Sequence, residues 1–165
     1  MRNTNRQFAT FFVADMYFGI EVLQVQELIR SQEITPVPLA PVVIEGLMNL
    51  RGQLVTALDM RRRLNLPPRA PDQLPMNIVV RHGEGAVSLL ADEIGDVVTP
   101  PADCYEATPE TLRSENIGLI ECVCKLEDRL LLILDTDVLL RPSPATHLEM
   151  RAAGGTDPDL STATL

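Results

Sequence analysis

Apolar and polar residues alternate over residues 8–14, and a second β-prone run at 17–22 follows a turn near Asp15 and Met16, so the two segments predict a hairpin. From Val22 the spacing changes. Val22, Val25 and the pair Leu28 and Ile29 recur three to four residues apart with Gln24, Gln26 and Glu27 between them, which predicts a short helix. Residues 44–50 and 53–58 read as two strands joined around Arg51 and Gly52, where the glycine can supply a positive φ. Asp59 follows as an N-cap for one helical turn over 60–64.

The second half repeats this order. Strands at 76–81 and 86–92 flank a turn from His82 to Gly85, and Thr108, Pro109 and Glu110 open a brief helix. Residues 117–126 and 130–134 form a hairpin around 127–129, and Asp135 caps a turn over 136–140. Glycine, strand, turn, strand, capping aspartate and one apolar helical turn thus occur twice, from Gly46 to Leu64 and from Gly118 to Leu140. The repeat predicts an all-β fold of two tandem small barrels with short helices. The first spans 8–66 and the second 76–140, with exchange of strands between them left open. Pro67, Pro68, Pro71 and Pro75 mark the connection, since each lacks an amide donor and fixes φ. Residues 151–165 have little to bury and are expected to form a disordered tail.

Composition narrows the function. With 165 residues and 45% apolar content the chain can bury a core, and its net charge of −9 has the wrong sign for tracking a phosphate backbone, so nucleic acid is not an expected partner. The charge is uneven: residues 1–66 carry seven arginines against six carboxylates, leaving −10 for the rest. Such a division suits two halves that face different surroundings, and equally a solubilising acidic face. Three cysteines and an N-terminal stretch without a secretory apolar core predict a reduced, cytoplasmic setting. No apolar run nears the roughly 18 residues of a membrane span, so no direct membrane insertion is expected.

A search for catalytic chemistry returns little. There is no phosphate-cradling glycine loop, no His-Glu-x-x-His and no nucleophile elbow, and the two histidines, His82 and His147, fall in a turn and near the chain end. Cys122 and Cys124 share one face of a strand with Ile120 and Leu126 and read as small buried hydrophobes, with no second ligand pair to complete a zinc site. Asp135 and Asp137 suit a helix start, Asp92, Glu93 and Asp96 a solvated turn, and Arg61, Arg62 and Arg63 mainly solvation. A small metal-dependent hydrolase would have to recruit Asp92, Asp135 and Cys122 together. Arg51 at its turn can project a planar fork toward Glu27, although an ordinary exposed hairpin arginine fits the same spacing.

Residues 17–22, 25–29, 34–41, 44–52 and 58–61 resemble the CheW family of bacterial chemotaxis coupling proteins in order and spacing, and the likeness continues through 89–97 and 118–140. Its specific element is the Asn49-Leu50-Arg51-Gly52 turn preceded by Gly46. The resemblance implies two SH3-like five-stranded barrels, no catalysis and no cofactor. It implies an adaptor that joins chemoreceptor cytoplasmic tips to the regulatory domain of a CheA-type histidine kinase. It also implies receptor binding by Val25, Glu27 and Arg51 in the groove between the barrels, and kinase binding near Ile44, Glu45 and Gln53. At Gly46 and Gly52, added bulk is expected to disturb the hairpin. Thr56 stands where proline is common, Pro36 where arginine is, and Glu45 where the residue is often basic. The charge reversal at Glu45 points to a paralogue serving a separate chemosensory pathway. A CheW-like regulatory module with a different partner has the same fold and differs only in what it binds.

Overall fold

In the computed structural model, residues 6–115 and 118–140 are described. Alternation at the start of the chain produces β1 (Phe8–Val13) and β2 (Met16–Glu21), followed by β3 (Val25–Ile29), β4 (Ile44–Leu50), β5 (Gln53–Asp59) and the short α1 (Met60–Arg63). Then come β6 (Met76–His82), β7 (Gly85–Ala91), β8 (Glu93–Val98), β9 (Tyr105–Glu106), α2 (Glu110–Glu115), β10 (Ile120–Lys125), β11 (Leu130–Leu134) and α3 (Thr136–Leu140), with 3-10 turns at Val22–Gln24 and Ala102–Cys104. His147 and the tail expected over 151–165 lie outside the described residues.

The strands form a six-stranded sheet in the order β8-β1-β2-β11-β10-β9 and a five-stranded sheet in the order β3-β6-β7-β5-β4. The sheets cut across the two sequence halves. The first hairpin, β1 and β2, joins the last, β10 and β11, through the parallel β2–β11 pair, while β4 and β5 join β6 and β7 through the parallel β5–β7 pair. The division at 66–75 therefore marks a connection in the chain, and strands from both sides of it build each sheet.

Because alternate side chains of a strand point to opposite faces, several strands serve two cores at once. Phe18 and Ile20 of β2 and Leu132 and Leu134 of β11 meet Ile78, Val80 and Leu89 of the other sheet in one shared core. Tyr17, Leu131 and Ile133, on the opposite faces of the same strands, pack with Phe8 and Cys124 in a second cluster. Met48, Leu50, Val55 and Val79 form the third, within the five-stranded sheet. A bulge between Ile120 and Cys122 changes the face of β10, so Ile120 joins Val123 in the shared core while Cys122, Cys124 and Leu126 turn to the second cluster. The single face expected for Ile120, Cys122 and Cys124 is thereby corrected.

Two further expectations change. The helix read over 22–29 is a 3-10 turn leading into β3, which pairs with β6 from Val25 opposite Val80 to Ile29 opposite Asn77. A bulge between Val25 and Glu27 interrupts the alternation, so Val25 packs on the shared core and Ile29 on the third cluster, with half-buried Glu27 and exposed Leu28 between them. The displaced apolar positions give the helical spacing. Residues 93–98, read as part of a solvated acidic turn, form β8 against β1, with Gly95 packed on the Thr10 hydroxyl, which donates to the Asp96 carbonyl at 2.5 Å.

The ends of the five-stranded order come together. After β3 the chain returns so that Thr35 and Leu47 exchange two backbone hydrogen bonds of 2.8 and 2.9 Å, placing the Thr35 carbonyl over Gly46. A Cβ at position 46 would lie 2.8 Å from the Thr35 carbonyl carbon, 2.9 Å from Ile34 Cγ2, and closer still to the Thr35 oxygen. Gly52 has open space around it, but its φ is +84°. Gly46→Ala is accordingly expected to lower stability by about 3 kcal/mol through a backbone clash, and Gly52→Ala by about 1 kcal/mol through its dihedral alone. Urea unfolding of the two variants checks the order; a larger loss at position 52 would contradict the closure.

Candidate functional site

The β4–β5 connection is a two-residue turn in which Leu50 pairs with Gln53 and both central residues, Arg51 at +52° and Gly52 at +84°, have positive φ. This turn type follows the twist of its flanking strands. The Gly52 amide donates to Asn49 Oδ1 at 2.8 Å, which holds the backbone in place. Arg51 then projects back to β3, where its Nη1 and Nη2 donate to Glu27 Oε2 and Oε1 at 2.7 and 2.6 Å.

The pair is asymmetric. Glu27's side chain is 14% exposed and Arg51's 75%, so the carboxylate is held in the wall while one side of the guanidinium faces solvent. Fork geometry fixes both groups, as a monodentate contact would not. Exposed Leu28 follows Glu27, and exposed Leu54 lies three residues after Arg51. A fixed ion pair with an exposed guanidinium suits recognition of another surface.

Val25 lies two residues before Glu27 on β3 and packs half-buried against the shared core, so Val25, Glu27 and Arg51 all belong to the five-stranded sheet. Ile44, Glu45 and Gln53 are separated. Ile44 and Glu45 open β4, whereas Gln53 opens β5 beside Arg51, roughly 20 Å along the hairpin. Glu45 is paired with Arg62 Nη2 at 2.7 Å, and Arg62 Nη1 also donates to the Val42 carbonyl.

Sequence reasoning missed a buried ionic cluster. Asp92, read as solvated, has a side chain only 7% exposed and accepts hydrogen bonds from Arg61 Nη2 at 2.6 Å, Arg69 Nε at 2.8 Å and the Ala14 amide at 2.7 Å. Arg69, inside the proline-rich connection, also reaches Asp59, whose carboxylate caps α1 through the Arg61 amide. Burial pushes the Asp92 carboxyl up, but the Arg61, Ala14 and Arg69 hydrogen bonds and the Arg69 charge outweigh it and hold the group at about 2. Arg61 and Arg62 are thus engaged in ion pairs, correcting the solvated run. These residues stand 23 and 31 positions apart, and no local spacing signals their meeting.

The residues of the hydrolase alternative are occupied separately. Asp92 is in the ionic cluster, Asp135 caps α3 by accepting from the Asp137 and Val138 amides, and Cys122 lies on β10. An open cleft of about 630 Å³ lined by Phe12, Tyr17, Leu130 and Arg129 includes none of the three, and one of about 490 Å³ includes Asp92 alone. Among the described residues, no three His, Cys, Asp or Glu side chains gather to hold a metal ion.

Several known proteins are similar to this chain. The family profile described as CheW-like domain matches residues 7–143. The chemotaxis protein CheW of Bacillus subtilis is 32% identical over 137 residues, covering 83% of this chain and 88% of that protein. That of Klebsiella aerogenes is 27% identical over 135 residues, covering 82% and 81%. The crystal structure of the scaffolding protein TtCheW from Thermoanaerobacter tengcongensis superposes with a TM-score of 0.72 at 23% identity, over 79% of this chain and 89% of that one. It supports the same two-sheet fold.

Two outcomes follow from the ion pairs. Asp92→Ala removes the carboxylate shared by two largely buried guanidinium groups and is expected to cost about 3 kcal/mol. Because the folded pKa lies below the unfolded one, the wild-type carboxylate contributes fully above about pH 4 and its contribution fades as pH falls toward 2. Acid unfolding of wild type and variant tests this, and an unchanged profile would contradict it. For Glu27 and Arg51, a double-alanine cycle in unfolding free energy is expected to give a coupling of about 0.5–1 kcal/mol that shrinks in high salt. Strict additivity would show that the contact does not persist in solution.

Proposed function

The chain belongs to the CheW-like domain family, and on that premise we propose that it is a non-catalytic adaptor coupling chemoreceptor cytoplasmic tips to the regulatory domain of a CheA-type histidine kinase in a bacterial chemosensory array. The observation that carries this reading is the Glu27–Arg51 pair, a fixed bidentate contact at the exposed closure of the five-stranded sheet. An adaptor needs surfaces of constant shape, because a partner's change of state is transmitted only if the connector does not absorb it. A short turn with two positive-φ residues and a forked ion pair meets that requirement.

The receptor surface in this proposal comprises Val25, Glu27 and Arg51. Arg51 supplies a mostly exposed, oriented guanidinium, the kind of anchor expected at an interface with a polar rim. The kinase surface is centred on Ile44 and Glu45 at the far end of β4. Gln53, the remaining kinase candidate, opens β5 beside Arg51 at the other end of the hairpin. Arg62 neutralises Glu45 in the free protein, which reduces the cost of its reversed charge until a partner competes for either side chain. The array would form on the cytoplasmic side, with membrane attachment through the receptor; no helix among the described residues is long and apolar enough to cross a bilayer.

Co-purification from native lysate with the protein as bait tests the role. Wild type is expected to recover a CheA-type kinase and a chemoreceptor. Arg51→Ala is expected to reduce receptor recovery roughly tenfold, the effect of losing about 1.4 kcal/mol at an interface anchor, while kinase recovery is retained. Recovery of neither partner would overturn the coupling role, and recovery of another protein would identify a CheW-like module with a different partner.

A further inference from the structure

The three cysteines, two of which, Cys122 and Cys124, were expected to be small buried hydrophobes, gather at the outer edge of the six-stranded sheet. Cys104 ends the 3-10 turn Ala102–Cys104 and is half-buried, while Cys124 is buried on β10, directly opposite Tyr105 of the edge strand β9. Their sulfurs lie 2.7 Å apart, and both pack with Phe8, Tyr17 and Leu131. Cys122 borders the same cluster. We propose that Cys104 and Cys124 form an oxidation-sensitive thiol pair that closes to an intrachain disulfide on exposure to peroxide.

Geometry assigns the roles. Cys104, the more accessible of the two, meets the oxidant. Its thiolate attacks one oxygen of hydrogen peroxide, the O–O bond breaks, and sulfenic acid and hydroxide form, the hydroxide being protonated to water. The Cys124 sulfur then attacks the sulfenic sulfur; the S–O bond breaks, and the leaving hydroxide takes the Cys124 proton as water. Two thiols and one peroxide thus become one disulfide and two waters. Burial and the neighbouring Cys104 and Cys122 push the Cys124 thiol up, which keeps it protonated until this second step. Cys122 and Cys124 are the competing pair. They are alternate residues of one extended strand, with Cα atoms roughly 6.7 Å apart, at the outer limit a disulfide spans. The bond between Cys104 and Cys124 instead joins adjacent segments already in contact, clipping the two-residue edge strand β9 to β10. This inference does not rest on the adaptor role.

Trypsin separates the alternatives, because cleavage after Arg81, Arg113 and Lys125 places Cys104 in one peptide, 82–113, and Cys122 with Cys124 in another, 114–125. The intact protein would be treated with hydrogen peroxide, its remaining thiols alkylated, and the digest analysed by mass spectrometry without reduction. The expected product is 82–113 joined to 114–125, lighter by two hydrogens than the separate thiol peptides, with the alkyl group on Cys122 and reversal by dithiothreitol. The joined product should persist in Cys122→Ser and vanish in Cys104→Ser. An alkylated Cys104 throughout, a link confined to 114–125, a link to Cys122, or a covalent dimer on a non-reducing gel would each overturn the proposal.

Discussion

The Thr35 carbonyl rests against Gly46 where any side chain would collide with it, and the exposed edge of the five-stranded sheet depends on that approach. β3 and β4 stand at opposite ends of the strand order, and open sheets leave such edges apart. Two hydrogen bonds between Thr35 and Leu47 bring the ends together, and only then does Glu27 on one come within reach of Arg51 on the other. The turn contributes the remaining geometry. Positive φ at Arg51 costs conformational energy that the Asn49 cap and the forked ion pair offset.

A second constraint is that several strands are buried on both faces. β2 and β11 each supply one set of side chains to the shared core and the alternate set to the core of their own sheet. Such strands need apolar residues at successive positions, so Leu130 to Leu134 reads as a continuous run. The two sheets are further tied by Asp92, which collects Arg61 from α1, Arg69 from the connection and the amide of Ala14 from the β1–β2 turn. Ala14 holds φ at +54°, a conformation costly without glycine, and its amide hydrogen bond to a buried carboxylate helps to fix it there.

The two arginine–carboxylate systems differ by environment. At Asp92 both partners are largely removed from water, so the cluster is an internal fastening whose loss is costly. At Glu27 and Arg51 the carboxylate is in the wall and the guanidinium is mostly in solvent, which contributes little to stability and leaves a charged, oriented group available to another surface. An adaptor uses both: a body that does not yield and a rim that can be recognised.

Much of the local structure was legible in the chain. The hairpins at β1–β2, β4–β5, β6–β7 and β10–β11 follow from alternation and turn residues, and Asp59 and Asp135 cap the helices expected of them. The site itself obscured one element: a bulge between Val25 and Glu27 displaces the apolar positions of β3, which then carried the spacing of a helix. β8 was hidden by its acidic residues. The sequence alone determined the short-range features, because turn dihedrals, caps and hairpin registers are settled by groups a few residues apart. Which hairpins pair in parallel, how the five-stranded sheet closes, and which carboxylate meets Arg51, Arg61 or Arg69 were decided only by the tertiary structure. Those contacts join residues 10 to more than 100 positions apart, and their stability comes from shared burial and steric fit, which no local pattern of residues encodes.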